Sequence, residues 1–221
     1  MRLTVDHAIR LEYPGLAAIL FAINGVHVEK SLDDLEHFKS EAFQRFRSTL
    51  SLETLKDVPA LRAYRDFFWR VGIDPTKTRP ASEALLRRVL QGKDVPRINT
   101  LVDAYNIASM ETHVPLAVFD AAKVQGELVM RMAVPGEGFM GIGMAKPEIL
   151  TGKEVVVQDD RMLTAIYPYR DADFSKVSAE TKDVIMMVCG VPRIELARLD
   201  EAKRLSAHYV TRFCGGSIAG T

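Results

Sequence analysis

A block of strand-like segments in the second half of the chain constrains the fold most. Four runs rich in β-branched and other apolar residues, at 126–133, 154–157, 163–167 and 184–188, are separated by turns containing Gly, Pro and Asp. Helical patterns lie before and after this block. Strands in one block and helices in others are typical of an α+β protein rather than of a regularly alternating parallel sheet. The sequence therefore predicts an α+β fold with a mixed or antiparallel sheet and flanking helices.

Apolar residues at helical spacing mark the other elements. Helices are predicted at about 31–49, at 51–71 with a break at Pro59, at 81–91 and at 192–213. Ser31 is expected to cap the first of them, because serine accepts hydrogen bonds from free helix N–H groups. Residues 2–11 and 15–23 are interpreted as one or two strands joined by a turn.

The segment 97–120 combines a helix with a strand that follows it. The apolar stripe of this helix, which is expected to be buried, consists of Ile98, Leu101, Val102, Tyr105 and Ala108. On a neighbouring face, Asn99, Asp103 and Asn106 recur at three- and four-residue spacing. Residues at this spacing are neighbours on a helix, so the three polar side chains can converge on one small ligand. A face that simply contacts water explains the same pattern.

Charge and composition exclude several classes of protein. The chain balances 29 Lys and Arg against 29 Asp and Glu, so it has no overall positive field, and no DNA partner is expected. Its 48% hydrophobic residues predict a sizeable core. The longest apolar run, 16–23, is too short to cross a bilayer, and the first residues do not resemble a secretory signal. A cytoplasmic protein without a membrane partner is expected.

Sequence motifs of known chemistry are weak in this chain. Cys189 and Cys214 stand alone, so buried free thiols are expected, and neither a metal site nor a cofactor is predicted. The run 136–143 satisfies GxGxxG, but no helical pattern follows it, which favours a glycine-rich turn over a nucleotide site. His113 lies at the end of the central helix, where the helix dipole would favour its proton and a role as a cap partner.

Two polar loops are candidate recognition elements. The loop 167–173 combines two tyrosines, Arg170 and two aspartates, which can bind a ligand by stacking and ion pairing or can satisfy one another at the surface. The turn 178–183 places Glu180 and Thr181 at the entrance of a strand, where rigidly held groups often face a substrate. A plain polar turn is the alternative interpretation of the second loop.

Four motifs in order resemble one known module. They are RINTLVDAYN at 97–106, VPLAVFD at 114–120, GELVMR at 126–131 and ETKDV at 180–184. This series resembles the tRNA-binding and editing module of the phenylalanyl-tRNA synthetase beta subunit, the B-three/four domain, over about 79–191. The resemblance implies a single editing-type domain over 1–221, in which residues 1–75 form a strand and helix extension packed on the core.

What the resemblance implies for function is hydrolysis of mischarged aminoacyl-tRNA in trans, or binding of tRNA, by a chain that has no synthetase catalytic module. Glu180 is then the predicted catalytic residue, which orients the attacking water or the amino-acid end. The predicted substrate-binding residues are Asn99, Asp103, Asn106, Arg170 and Thr181. Asn99 and Asn106 are expected to donate amide hydrogen bonds, and Asp103 to hold the helix or bind an ammonium group.

Two departures from the family pattern support a second hypothesis. Ala117 stands where the family carries a histidine, and the residues 167–171 replace a glycine-rich loop of the editing pocket. A pocket that loses a polar group and gains bulk should not bind the same ligand, because an unmatched polar partner is costly. The alternative is therefore a non-catalytic module that binds an amino acid or a similar small metabolite.

Overall fold

The computed structural model describes residues 2–220, which form six α-helices and eleven β-strands. The helices are α1 (His7–Glu12), α2 (Asp33–Thr49), α3 (Pro59–Arg70), α4 (Ala81–Leu90), α5 (Thr100–Thr112) and α6 (Leu196–Cys214). The strands are β1 (Leu3–Val5), β2 (Ala17–Asn24), β3 (Leu116–Asp120), β4 (Leu128–Met132), β5 (Gly138–Phe139), β6 (Glu148–Ile149), β7 (Val155–Gln158), β8 (Leu163–Tyr167), β9 (Arg170–Asp171), β10 (Asp183–Gly190) and β11 (Ser217–Ile218). The predicted α+β class is confirmed.

Two larger sheets form the middle of the molecule. The mixed sheet has the strand order β1-β4-β7-β8-β9, in which β1 runs parallel to β4 and the other pairs are antiparallel. The antiparallel sheet has the order β11-β2-β10-β3. Strands β5 and β6 form a separate pair. Residues from the first 24 positions therefore contribute strands to both larger sheets, while the division of the chain into a core and an extension stays a prediction.

Strand β10 separates two hydrophobic cores, because successive side chains of a strand point to opposite faces of its sheet. Val184, Met186 and Val188 belong to the core that the antiparallel sheet shares with α2, α4, α5 and α6. Ile185 and Met187 belong to the core that lies between the two sheets and also contains side chains of α3. Each such buried side chain contributes roughly 1.5–3 kcal/mol to folding. The layers are therefore helices, antiparallel sheet and mixed sheet.

Three local predictions are wrong. Residues 7–12 form a helix instead of a strand, because the Asp6 side chain accepts a hydrogen bond from Ala8 N and caps it. Leu32 rather than Ser31 occupies the N-cap position of α2. Ile98, predicted to be buried, is 55% exposed because it precedes the first turn of α5. Within residues 2–220, no helix is long and apolar enough to cross a membrane.

Candidate functional site

A small cavity lies where the edges of the two sheets meet. Strands β3 and β9 are edge strands of the antiparallel and the mixed sheet, and Asp171 Oδ2 joins them by accepting a hydrogen bond from Val118 N at 3.4 Å. The cavity, which we call the seam cavity, has a volume of about 170 Å³. Pockets for drug-sized ligands usually measure about 300–1,000 Å³. The seam cavity therefore suits a small ligand or one group of a larger ligand.

Among the described residues that line the seam cavity, Asp171 supplies the carboxyl group. Strand β9 holds its side chain against β3, where burial raises the pKa of the carboxyl from an ordinary 3.8 to about 7. The hydrogen bond from Val118 N lowers this pKa but does not outweigh the burial. A carboxyl group with a pKa near neutral pH can both take up and release a proton under physiological conditions.

Helix α5 presents two polar side chains to the same cavity. Hydrogen bonds hold the side chains of Asn99 and Asp103 in place. Within residues 2–220, the side-chain amide of Asn106 has no such partner, and it lines the cavity. Burial raises the pKa of the Tyr105 hydroxyl, and the negative charge of Asp171 raises it further. Tyr105 is therefore neutral at pH 7 and can donate or accept a hydrogen bond.

Cys189, on β10, also lines the seam cavity but is poorly suited to act as a nucleophile. Burial raises the pKa of its thiol well above the ordinary range, and the charge of Asp171 adds to the effect. The reactive form of cysteine is the thiolate, which this environment disfavours. Cys189 and Cys214 are both buried and unpaired, as predicted. Within the described residues, no group of three or more His, Cys, Asp or Glu side chains is placed to hold a metal.

Arg170 forms one wall of the seam cavity and is fixed by contacts with the protein. Its guanidinium lies 4.9 Å from the centre of the Tyr169 ring, and Nη1 and Nη2 donate to Ile142 O at 2.9 Å and to the Tyr169 hydroxyl at 3.1 Å. Gly141 leaves room for this side chain, because a Cβ there would collide with Arg170 Cδ. Nε is buried and has no partner among residues 2–220.

The predicted site residues do not all share this cavity. Asn106 and Arg170 line it. Asn99 is the N-cap of α5, and its side chain accepts a hydrogen bond from Val102 N at 2.9 Å. Asp103 is buried towards α2, where Lys39 Nζ donates to its Oδ2 at 2.6 Å.

Glu180 and Thr181 lie in the turn before β10. Glu180 is exposed and is not among the residues that line the seam cavity. Thr181 is buried, and its Oγ1 donates to Asp120 Oδ2 at 2.8 Å, which connects the turn to the end of β3. These positions do not test binding or catalysis, so the functional roles of all six residues stay predictions.

His113 does not have the favoured proton that its helix position predicts. Burial lowers the pKa of its imidazole to about 4, and the positive charge of Arg198 contributes to the lowering. These two effects outweigh the attraction of the helix C-terminus. His113 is therefore neutral at pH 7. Its backbone lies at the end of α5 with φ 61°, where its carbonyl accepts a hydrogen bond from Ser82 Oγ at 3.3 Å.

Two packed sheets, with helices against the antiparallel one and a small cavity where the sheet edges meet, define an α+β domain with one candidate ligand pocket at this seam. The sequence profile of the B3/4 domain matches residues 63–216, well over half of the chain. The chain belongs to the B3/4 domain family. The matched residues begin before and end after the region 79–191, over which the four sequence motifs indicate the resemblance.

Known relatives agree with this assignment. The phenylalanine–tRNA ligase beta subunit of Rhodopseudomonas palustris is 28% identical over 164 residues, which cover 74% of this chain and 20% of the relative. The subunit from Corynebacterium glutamicum is 30% identical over 142 residues, which cover 64% of this chain and 16% of the relative. The chain thus spans about a fifth of the length of these relatives or less.

A solved structure shares the fold. It is an N-terminal fragment of the phenylalanyl-tRNA synthetase beta subunit from Pyrococcus horikoshii, with a TM-score of 0.52 and 15% sequence identity. The superposition covers 99% of this chain and 50% of that fragment. The predicted resemblance to the B3/4 domain of the phenylalanyl-tRNA synthetase beta subunit is confirmed at the level of family and fold.

Proposed function

We propose that this chain hydrolyses the ester bond of an aminoacyl-tRNA in trans, with the aminoacyl group held in the seam cavity. The observation that carries the proposal is the Asp171 carboxyl, whose pKa is raised to about 7 inside this cavity. A general base is most effective when its pKa lies near the working pH. The substrate class follows from the family and from relatives named as phenylalanine–tRNA ligase beta subunits.

The proposed reaction needs only water besides the substrate. Ionised Asp171 takes a proton from a water molecule while the water oxygen attacks the ester carbonyl carbon. The Asn106 amide donates a hydrogen bond to the carbonyl oxygen as it becomes negative. The bond between the carbonyl carbon and the ribose oxygen then breaks, and protonated Asp171 returns the proton to that oxygen. The products are a free amino acid and uncharged tRNA, and the proposal places the chain in the cytoplasm with its substrate.

The Asp171→Asn variant tests this role against the role predicted for Glu180. We expect Asp171→Asn to lower deacylation of a mischarged tRNA by about 100-fold or more, because general bases contribute roughly 10²–10⁴-fold. Glu180→Ala is the matched comparison, and it should keep the wild-type rate since Glu180 lies outside the seam cavity. The measurement is release of labelled amino acid from a panel of mischarged tRNAs.

Three outcomes of that experiment contradict the proposal. Loss of activity in Glu180→Ala with normal activity in Asp171→Asn would return the catalytic role to Glu180. Deacylation at the wild-type rate by both variants would place the chemistry outside the seam cavity. Release no faster than in buffer, for every tRNA in the panel, would reject the hydrolase itself.

One observation favours a second function, non-catalytic binding of an amino acid or a similar small metabolite. The Arg170 guanidinium is already held by Ile142 and Tyr169. Of the described residues at the cavity, Asn106 then supplies the free amide, and Ala117 offers no imidazole. Calorimetry with free amino acids distinguishes the two functions. Binding that Asn106→Ala weakens, together with no deacylation, would support the binding module.

A further inference from the structure

Three arginines converge on one buried carboxylate next to the seam cavity. Glu83, on α4, has no solvent exposure, and its Oε1 lies 3.0 Å from Arg65 Nη1, 2.8 Å from Arg87 Nε and 4.0 Å from Arg79 Nε. One carboxylate, with a single negative charge, cannot neutralise three guanidinium groups, each of which stays positively charged in proteins. The cluster is therefore positively charged, although the chain as a whole has a net charge of zero.

Two further arginines contact elements that carry or adjoin this cluster. Arg193 forms an ion pair with Asp66, which follows Arg65 on α3. Arg198, on α6, donates from Nη1 to Thr112 O at 3.0 Å, at the end of α5. We call the set Arg65, Arg79, Arg87, Arg193 and Arg198 the arginine rim. Among residues 2–220, the carboxylates in direct contact with the arginine rim are Glu83 and Asp66.

The arginine rim borders the seam cavity through the start of α4. Ala81, the first residue of α4, lines the cavity and stands two positions after Arg79. The next residue, Ser82, donates a hydrogen bond from Oγ to His113 O, which joins the start of α4 to the end of α5. Arg198 contacts the same end of α5. A polymer whose terminal group occupies the cavity can therefore reach the arginine rim.

We propose that the arginine rim binds the phosphodiester backbone of an RNA whose aminoacylated end occupies the seam cavity. The RNA partner follows from the proposed function, whereas the binding surface follows from the arginines. Guanidinium groups bind phosphate oxygens through two parallel hydrogen bonds, which makes arginine suited to this contact. The side chains of Arg79 and Arg193 are 41% and 63% exposed, and each guanidinium has N–H donors besides the one that faces Glu83 or Asp66.

The test variant is the double substitution Arg79→Gln with Arg193→Gln, probed with uncharged tRNA. Arg65 and Arg87 are left intact, because Glu83 Oε2 is already buried without a partner among residues 2–220 and loss of either arginine would threaten the fold. We expect the dissociation constant to rise by about tenfold or more. The slope of log K against log salt should fall by about 1.4–1.8, since each phosphate contact contributes roughly 0.7–0.9.

The control is Arg161→Gln with Arg204→Gln, which removes the same charge from exposed positions outside the arginine rim. This variant should keep nearly the wild-type affinity and salt slope, and Arg79→Lys with Arg193→Lys should retain most of the binding. Equal weakening by the test and control pairs would overturn the proposal, because it would show only an effect of net charge. Thermal melts establish that each variant is folded.

The probe carries no ester, so this inference and the proposed function fail in distinguishable ways. Rim-dependent tRNA binding without deacylation would support the arginine rim and reject the hydrolase. Hydrolysis of a small aminoacyl ester with no tRNA binding, even at low salt, would reject the arginine rim and leave the cavity chemistry standing.

Discussion

Replacing Asp171 with asparagine is expected to stabilise the protein at pH 8 by about 2 kcal/mol, with an upper bound of about 4 kcal/mol. The upper bound is the free energy that corresponds to the rise of the carboxyl pKa from 3.8 to about 7. We expect a smaller stabilisation, because Asp171 is partly exposed and water screens its charge. Above pH 7 the folded protein must hold a buried carboxylate that the unfolded chain hydrates freely. Asparagine removes this charge and retains an oxygen that can accept the Val118 N–H.

The pH dependence of this effect has a definite sign. Because the folded pKa of Asp171 is raised, its contribution to stability is fully present below pH 3.8 and is lost as the pH rises through 7. The difference in unfolding free energy between variant and wild type should therefore be near zero at pH 4 and largest at pH 8. His113, with its pKa lowered to about 4, has the opposite dependence, but it is present in both proteins and cancels.

Urea unfolding at pH 4, 6 and 8 measures this difference. Asp173→Asn is the matched control, because Asp173 forms a surface ion pair with Lys176 and its side chain is 42% exposed. The control should change stability by less than about 1 kcal/mol at every pH. Destabilisation by Asp171→Asn at pH 8 would show that the carboxylate is well solvated. A stabilised but inactive variant would instead identify a residue kept for function at the expense of stability.

The fold was largely predictable because its signals are local. Runs of β-branched residues and helical spacing of apolar residues located the strands of the second half and the main helices. The pairing of Leu3 with Leu128, parallel and far apart in the chain, has no local signal. The same is true of the division of the strands between two sheets. The helix at residues 7–12 did have a signal, since Asp6 is a favoured capping residue.

The candidate site was less predictable because its side chains are oriented by distant partners. Asn99, Asp103 and Asn106 have helical spacing, but Asn99 is a cap outside the helix and Asp103 turns towards Lys39, 64 residues away. Asn106 alone of the three faces the seam cavity. Asp171 lies in a loop that the sequence did single out. Its raised pKa, however, comes from burial against β3, which no local pattern reveals.

Asp103→Asn is expected to destabilise the protein by about 3–5 kcal/mol, because it leaves the Lys39 ammonium without its main buried partner. The side chains of Lys39 and Asp103 are only 7% and 3% exposed, and Lys39 Nζ also contacts Glu36 at 3.1 Å. Asparagine can still accept the hydrogen bond that Asp103 Oδ1 receives from Ile98 N at 3.1 Å, so the substitution mainly removes charge. Thermal and urea unfolding measure the loss.

Adding Lys39→Met to Asp103→Asn should restore most of the lost stability, since removal of both buried charges is often neutral or favourable. Arg97→Gln is the control within the same network, because it removes the ion pair between Arg97 and Glu36. The Arg97 side chain is 55% exposed, so this substitution should destabilise the protein by less than about 1 kcal/mol. The double variant also separates the two roles of Asp103. If Asp103 binds substrate, the double variant will be stable yet defective in ligand binding; if Asp103 only holds α5 against α2, the double variant will bind and react like wild type.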